Sequence, residues 1–179
     1  MNSIFLSEIK KLKNNLFVDK KVWQYFFDLT IKDKNIVRDK KTRKHICCYF
    51  LPVNKKTNSI YLVDHIKAKT WIPPGGHIEK NETPTQTINR EFVEELDYEL
   101  TKEKIEFINL SVTNISPPRY DCLVHFDLWY LVYVDKINFK FCKKEFYSAS
   151  WFEIEKAIKI STRAEYIKIL KRLKNYLRA

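Results

Sequence analysis

The sequence predicts an α/β sandwich preceded by a helical extension. Three observations predict it. Several runs have the continuous or alternating apolar character of strands, while only two amphipathic helices fall among them. These do not alternate as regular βαβ repeats, so a doubly wound sheet is not expected. An aromatic, helix-patterned stretch stands before the first strand, set apart by charged residues. The 179 residues suit one domain with a small appendage, and a composition 45% hydrophobic and 15% aromatic supplies its core. The expected division is a helical extension over 1–43 and the main domain over 44–179.

Residues 3–29 read as two short helices. Ile4, Phe5, Ile9, Leu12 and Leu16 recur at helical spacing, and Val22, Trp23, Phe26, Phe27 and Leu29 do so again. Packing on the chain's own domain is the preferred reading, and contact in a homodimer is the alternative. Residues 30–44 are a charged connector. Residues 45–53 and 59–65 read as strands joined by a hairpin at 54–58. Residues 83–96 follow a helical pattern, with Ile88, Phe92, Val93 and Leu96 on the packing side. Two more strands are expected at 104–115 and 122–135, with a loop around Pro117-Pro118. A short strand at 149–152 and an amphipathic helix at 162–177 complete the chain. In that helix Tyr166, Ile169, Leu170, Leu173 and Leu177 form one stripe.

The formal net charge is +11, which favours polyanionic partners. The lysines are scattered along the whole chain, so a general residue bias accounts for the charge better than a nucleic-acid patch does. Cys47, Cys48, Cys122 and Cys142 form no Cys-x-x-Cys pair and no zinc-ligand spacing; buried free thiols in a reducing compartment are expected. Charge interrupts the apolar residues at the start before a signal sequence can form, and no apolar run reaches the ~18 residues of a membrane span. A cytoplasmic protein without a membrane partner is expected.

The chemistry is concentrated in WIPPGGHIEKNETPTQTINREFVEELDY, residues 71–98. The chain's only 2 glycines, Gly75 and Gly76, stand side by side there. Glycines placed at one spot mark an unusual backbone conformation or a close approach. Thr83-Pro84 reads as an N-cap followed by Pro at the first helical position. Beyond it Glu91, Glu94 and Glu95 stand at i, i+3 and i+4 on one helical face. Three neighbouring carboxylates repel one another and raise each other's pKa, which a hard divalent cation near phosphate would relieve. The glutamates alone would equally describe a solvated acidic face. The spacing of the whole segment is far more specific.

The segment resembles the Nudix box: Gly, five residues, Glu, seven residues, then Arg-Glu-apolar-x-Glu-Glu-x-Gly-apolar. Gly76, Glu82, Arg90, Glu91, Phe92, Glu94, Glu95 and Tyr98 meet it at the right spacing. Six fixed identities match by chance roughly once in 10⁷ windows. Asp97 stands where the motif has its last Gly, and Asp tolerates positive φ better than most residues. Together the box, the strand around HFDLWYLV and the helical extension resemble a bacterial Nudix subgroup.

The resemblance implies an α/β/α sandwich with a mixed sheet and a Mg²⁺-dependent hydrolase of pyrophosphate linkages, with Mn²⁺ as a substitute ion. It implies Glu91 and Glu95 as the principal metal ligands, with Glu94 and the carbonyl of Gly75 beside them. Arg90 would orient the glutamates, and Glu82 would tie the loop to the helix, with Gly76 in the loop. Glu94 is the first candidate for the general base and Glu145 the second. Substrate contacts are expected outside the box. Arg119 and Tyr120, after two prolines, suit phosphate and a nucleobase, and His125 and Asp127 share one face of their strand. His77 could touch a phosphate; His45 and His65 read as structural. A small nucleotide is the leading substrate. Removal of pyrophosphate from RNA 5′ ends, and a nucleotide-sensing module without hydrolysis, stay open.

Overall fold

The computed structural model describes residues 3–14, 18–32, 43–119, 122–135 and 138–178. Its helices are α1 (Ser3–Lys11), α2 (Lys20–Lys32), α3 (Pro84–Leu96), α4 (Ile154–Ile160) and α5 (Ala164–Arg178). Its strands are β1 (Lys44–Asn54), β2 (Ser59–His65), β3 (Thr70–Ile72), β4 (Gly75–His77), β5 (Lys104–Arg119), β6 (Cys122–Tyr133) and β7 (Phe146–Glu153). They form a sheet ordered β3-β2-β1-β6-β5, with β4 pairing β1 and β7 pairing β2. The architecture is a mixed sheet with flanking helices, as the sequence predicts.

The chain divides into two compact units. One comprises residues 1–49, 76–88 and 107–130, the other 50–75, 89–106 and 131–179. In the first, the indole of Trp23 donates to the carbonyl of Ile9 at 2.8 Å and ties α2 to α1. Phe26, fully buried, meets Phe126 of β6 edge-on at 5.6 Å. Helix α2 therefore packs on this chain's own sheet, with α1 tied to it. The charged connector falls largely at 33–42, outside the described residues.

In the second unit, Val53 pairs with Ile60 and Asn54 with Ser59 across the hairpin. Asn54 Oδ1 accepts from the N–H groups of Lys56 and Thr57, and Asn58 turns the chain at φ 48°. The rings of Phe50 and Phe92 stack at 4.3 Å, and Tyr61, Phe139 and Trp151 extend this aromatic core.

Two expectations are corrected and one helix is added. Backbone pairing in β5 continues through Pro117-Pro118 to Arg119 where a loop was expected. Proline's fixed φ suits an extended chain, and β5 ends the strand order, where a missing N–H is tolerated. The expected last helix is present as α5, and the added helix α4 precedes it, too short to show a periodicity. Val93 is 50% exposed and takes no part in the packing side of α3.

Candidate active site

The start of α3 is locally determined. Thr83 and Gln86 form a reciprocal capping box: Gln86 N–H donates to Thr83 Oγ1 at 3.3 Å, and Thr83 N–H donates to Gln86 Oε1 at 2.9 Å. Glu82 Oε2 accepts from the N–H of Glu79 at 3.0 Å and from the hydroxyl of Thr87 at 2.8 Å, joining the loop to the first turn. At the other end Asp97, in place of the motif glycine, takes φ 48°. Its N–H bonds the carbonyl of Val93 at 3.1 Å, and its carboxylate meets Lys140 at 3.3 Å.

In the second unit Gly75 has φ 146°, a conformation open to glycine and strained for other residues. It carries its N–H to 2.8 Å from Glu95 Oε2. Glu95 is 4% exposed and Glu91 8% exposed. Arg90 donates to Glu91 Oε1 at 2.7 Å and reaches Glu94 Oε2 at 3.4 Å. The side chain of Glu94 is 57% exposed.

A further carboxylate approaches along the chain before β7. Cys142 N–H bonds the carbonyl of Glu95 at 2.9 Å, docking this segment on the end of α3. Glu145 N–H bonds the carbonyl of Cys142 at 3.1 Å, and the Glu145 carbonyl accepts from Ile66 at 2.9 Å. The charge of Glu145 is felt at both Glu91 and Glu95.

The electrostatics follow from burial. Burial pushes Glu91 up to about 7, with Arg90 opposing and Glu94 and Glu145 adding to the rise. Burial and then Glu91 hold Glu95 well above the usual carboxylate range, against the hydrogen bond from Gly75. Among the described residues, no three carboxylates bring their oxygens within 4.8 Å of one another. A divalent cation would offset the repulsion, and the all-oxygen donor set fits a hard one.

The other candidates lie elsewhere. Tyr120 and the side chain of Arg119 are outside the described residues. Asp127, expected at a substrate pocket, is fully buried in the first unit. Its Oδ2 accepts from the hydroxyls of Ser111 and Thr113, and Ser111 accepts in turn from the indole of Trp129 at 2.8 Å. That network places it in the interior, because neighbouring elements cover both faces of β6. His125 lies against His77, their Nε2 atoms 3.2 Å apart. His65 Nδ1 accepts from the N–H of Lys67 in a turn.

The NUDIX domain family model matches residues 30–173. The chain belongs to the Nudix family. Nudix hydrolases act on pyrophosphate bonds of nucleotide-like substrates and generally use divalent metal ions. The chain is accordingly a pyrophosphohydrolase acting on phosphorus-containing anhydrides.

Solved structures agree on the fold. The E. coli dihydroneopterin triphosphate pyrophosphohydrolase is similar with a TM-score of 0.65 at 13% identity, over 77% of this chain and 97% of its own. A MutT protein from Methanosarcina mazei Go1 has a TM-score of 0.63 at 18% identity, over 78% and 99%. The C. elegans Ap4A hydrolase has a TM-score of 0.58 at 18% identity, over 74% and 98%. No curated protein matches the chain. Among the described residues, no helix is long and apolar enough to cross a membrane.

Proposed function

We propose that this Nudix protein is a Mg²⁺-dependent hydrolase of a nucleoside di- or triphosphate-type substrate, with Mn²⁺ as a substitute ion. The observation that carries the reading is the pair Glu91 and Glu95. Both are buried, they stand one helical turn apart, and both have a raised proton affinity. Two such carboxylates are costly unless a proton or a cation neutralises them. Glu91 and Glu95 would hold the ion, with Glu94 and the Gly75 carbonyl beside them. When bound, the ion supplies neutralising charge at the phosphoryl oxygens and lowers the pKa of the attacking water.

The chain's own residues do the positioning. Arg90 holds Glu91, and the N–H of Gly75 holds Glu95, so neither carboxylate has to reorganise when substrate arrives. Proton acceptance is assigned to Glu145. Its charge reaches both buried glutamates, whereas Glu94 is mostly in solvent and bound to Arg90. Arg119 and Tyr120 remain the proposed contacts to phosphate and base. The Nudix domain is assigned to 44–179, with the helices before it as an extension. A reducing compartment such as the cytoplasm is the proposed location, and the cysteines form no disulfide.

The test is a panel of nucleoside triphosphates, nucleotide sugars, dinucleoside polyphosphates and triphosphorylated RNA, each with Mg²⁺ and with Glu95→Gln as the control. Selective turnover of a small nucleotide, lost in the variant, is expected. Nucleotide binding without turnover would overturn the hydrolase reading in favour of a sensing module. Preference for RNA with a steep salt dependence would favour the 5′-end reading, for which the +11 charge speaks.

A further inference from the structure

A second set of metal-ligating side chains lies in the first unit, and the carboxylate site uses none of it. His45 and Cys47 stand two apart on β1 and so share a face. His77 ends β4, which pairs with β1, and Cys122 and His125 lie on β6, next to β1. Cys47, His77 and His125 form one group, and His45, His77 and Cys122 another. In each, the three ligand atoms lie within 4.8 Å of one another. His77 Nε2 is 3.2 Å from His125 Nε2 and 4.0 Å from Cys122 Sγ.

The structure thus brings together thiols and imidazoles that no zinc-ligand spacing marks in the sequence. The signals were His45-x-Cys47 and Cys122-x-x-His125, halves of a cluster that only strand pairing brings together.

We propose that Cys47, His77 and His125 form a second metal centre, which takes a borderline divalent transition-metal cation of the Zn²⁺ class. The donor set selects the ion. One thiolate and two imidazoles suit Zn²⁺ and its neighbours, whereas Mg²⁺ takes oxygen. The geometry agrees. Two nitrogens at about 2.0–2.1 Å from a tetrahedral Zn²⁺ stand roughly 3.3 Å apart, and those of His77 and His125 are 3.2 Å apart. Cys47 is 2% exposed, while His77 and His125 are partly exposed, so the ion enters from the imidazole side. On binding, the Cys47 thiol loses its proton to solvent and a metal–sulfur bond forms. His77 directly follows Gly76, so the ion ties the end of the glycine strand to β1 and β6.

A hydrogen bond between two imidazoles gives a similar N···N distance, so the test must detect the thiolate. The full chain carrying Glu95→Gln, which weakens the carboxylate site, is stripped of metal and titrated with Co²⁺. A single equivalent is expected to bind with thiolate-to-cobalt charge-transfer absorption and the visible bands of a tetrahedral ion. Both signals should vanish in Cys47→Ser and in His125→Asn, and persist in Cys122→Ser and His45→Gln. Circular dichroism of the metal-free variants checks their folds. His125→Asn, at a partly exposed position, decides if Cys47→Ser does not fold. Absence of the charge-transfer band before any Cys or His is changed overturns the centre. A band that survives Cys47→Ser or His125→Asn, or is lost in Cys122→Ser or His45→Gln, overturns the ligand set.

Discussion

The N–H of Gly75 donates to Glu95 Oε2 at 2.8 Å across twenty residues of chain. The bond exists because Gly75 adopts φ 146°, and Gly76 beside it has no positive φ. Gly75→Ala should therefore cost about 1–3 kcal/mol of backbone strain. For a chain of this size, that lowers Tm by about 2–4 °C per kcal/mol. Gly76→Ala should cost less. Calorimetry of both variants checks the asymmetry, and equal losses would sink the argument. Activity should fall with Gly75→Ala as well, since Glu95 loses its anchor.

The two candidate bases can be separated by rate. A positioned base contributes about 10²–10⁴-fold, so Glu145→Gln should lower kcat within that range while Mg²⁺ affinity changes little. Glu94→Gln should act more weakly, because its side chain is 57% exposed and meets Arg90 at 3.4 Å. Single-turnover kinetics beside a Mg²⁺ titration distinguish the two. A larger kcat loss for Glu94→Gln would return the assignment to that residue.

Burial raises Glu91 from 4.5 to about 7 in the folded protein. A raised carboxylate favours the protonated form, so its stabilising contribution is complete below 4.5 and is lost as pH rises through 7. The metal-free protein should thus lose thermal stability between pH 4.5 and 7. A bound cation takes the place of the proton, so Mg²⁺ should reverse the loss at pH 8 and bind more weakly below pH 7. Melting curves from pH 5 to 8, with and without Mg²⁺, test this. Parallel curves would show that Glu91 is uncoupled from the ion.

Much of this was legible in the sequence, for reasons that differ by residue. Glu91, Glu94 and Glu95 sit on one helix, where fixed periodicity converts spacing into geometry, and Thr83-Pro84 marks its start. Asp97 was legible as a cap because its φ requirement is local. The burial of Asp127 was not, since alternation along β6 describes two faces without saying that both are covered. Nor was the convergence of Cys47, His77 and His125, which depends on the pairing of β4 and β6 with β1. Strand pairing is non-local, and a single sequence does not carry it. Glu145 falls between these cases. Its position before β7 was visible, but its approach to α3 depends on the backbone bond from Cys142 to Glu95.

Glu103 responds to pH in the opposite sense. Burial alone would raise its pKa, but the Tyr98 hydroxyl and the N–H groups of Thr101 and Lys102 overcome it and hold the carboxylate at about 2. A depressed carboxylate contributes stability above its unfolded value of 4.5, and that contribution is lost as pH falls toward 2. These bonds tie the chain leaving α3 to the start of β5, so Glu103→Gln should loosen that connection. Glu103 is only partly buried, so solvent screening reduces the effect, and about 1 kcal/mol at pH 7 is expected. Near pH 2 the two proteins should unfold alike. Tyr98→Phe should show a smaller effect in the same window, because the two backbone donors remain. Urea unfolding of the three proteins at pH 7, 4 and 2 decides the matter. A Glu103→Gln deficit that persists undiminished at pH 2 would mean that packing, and not the carboxylate charge, stabilises this connection.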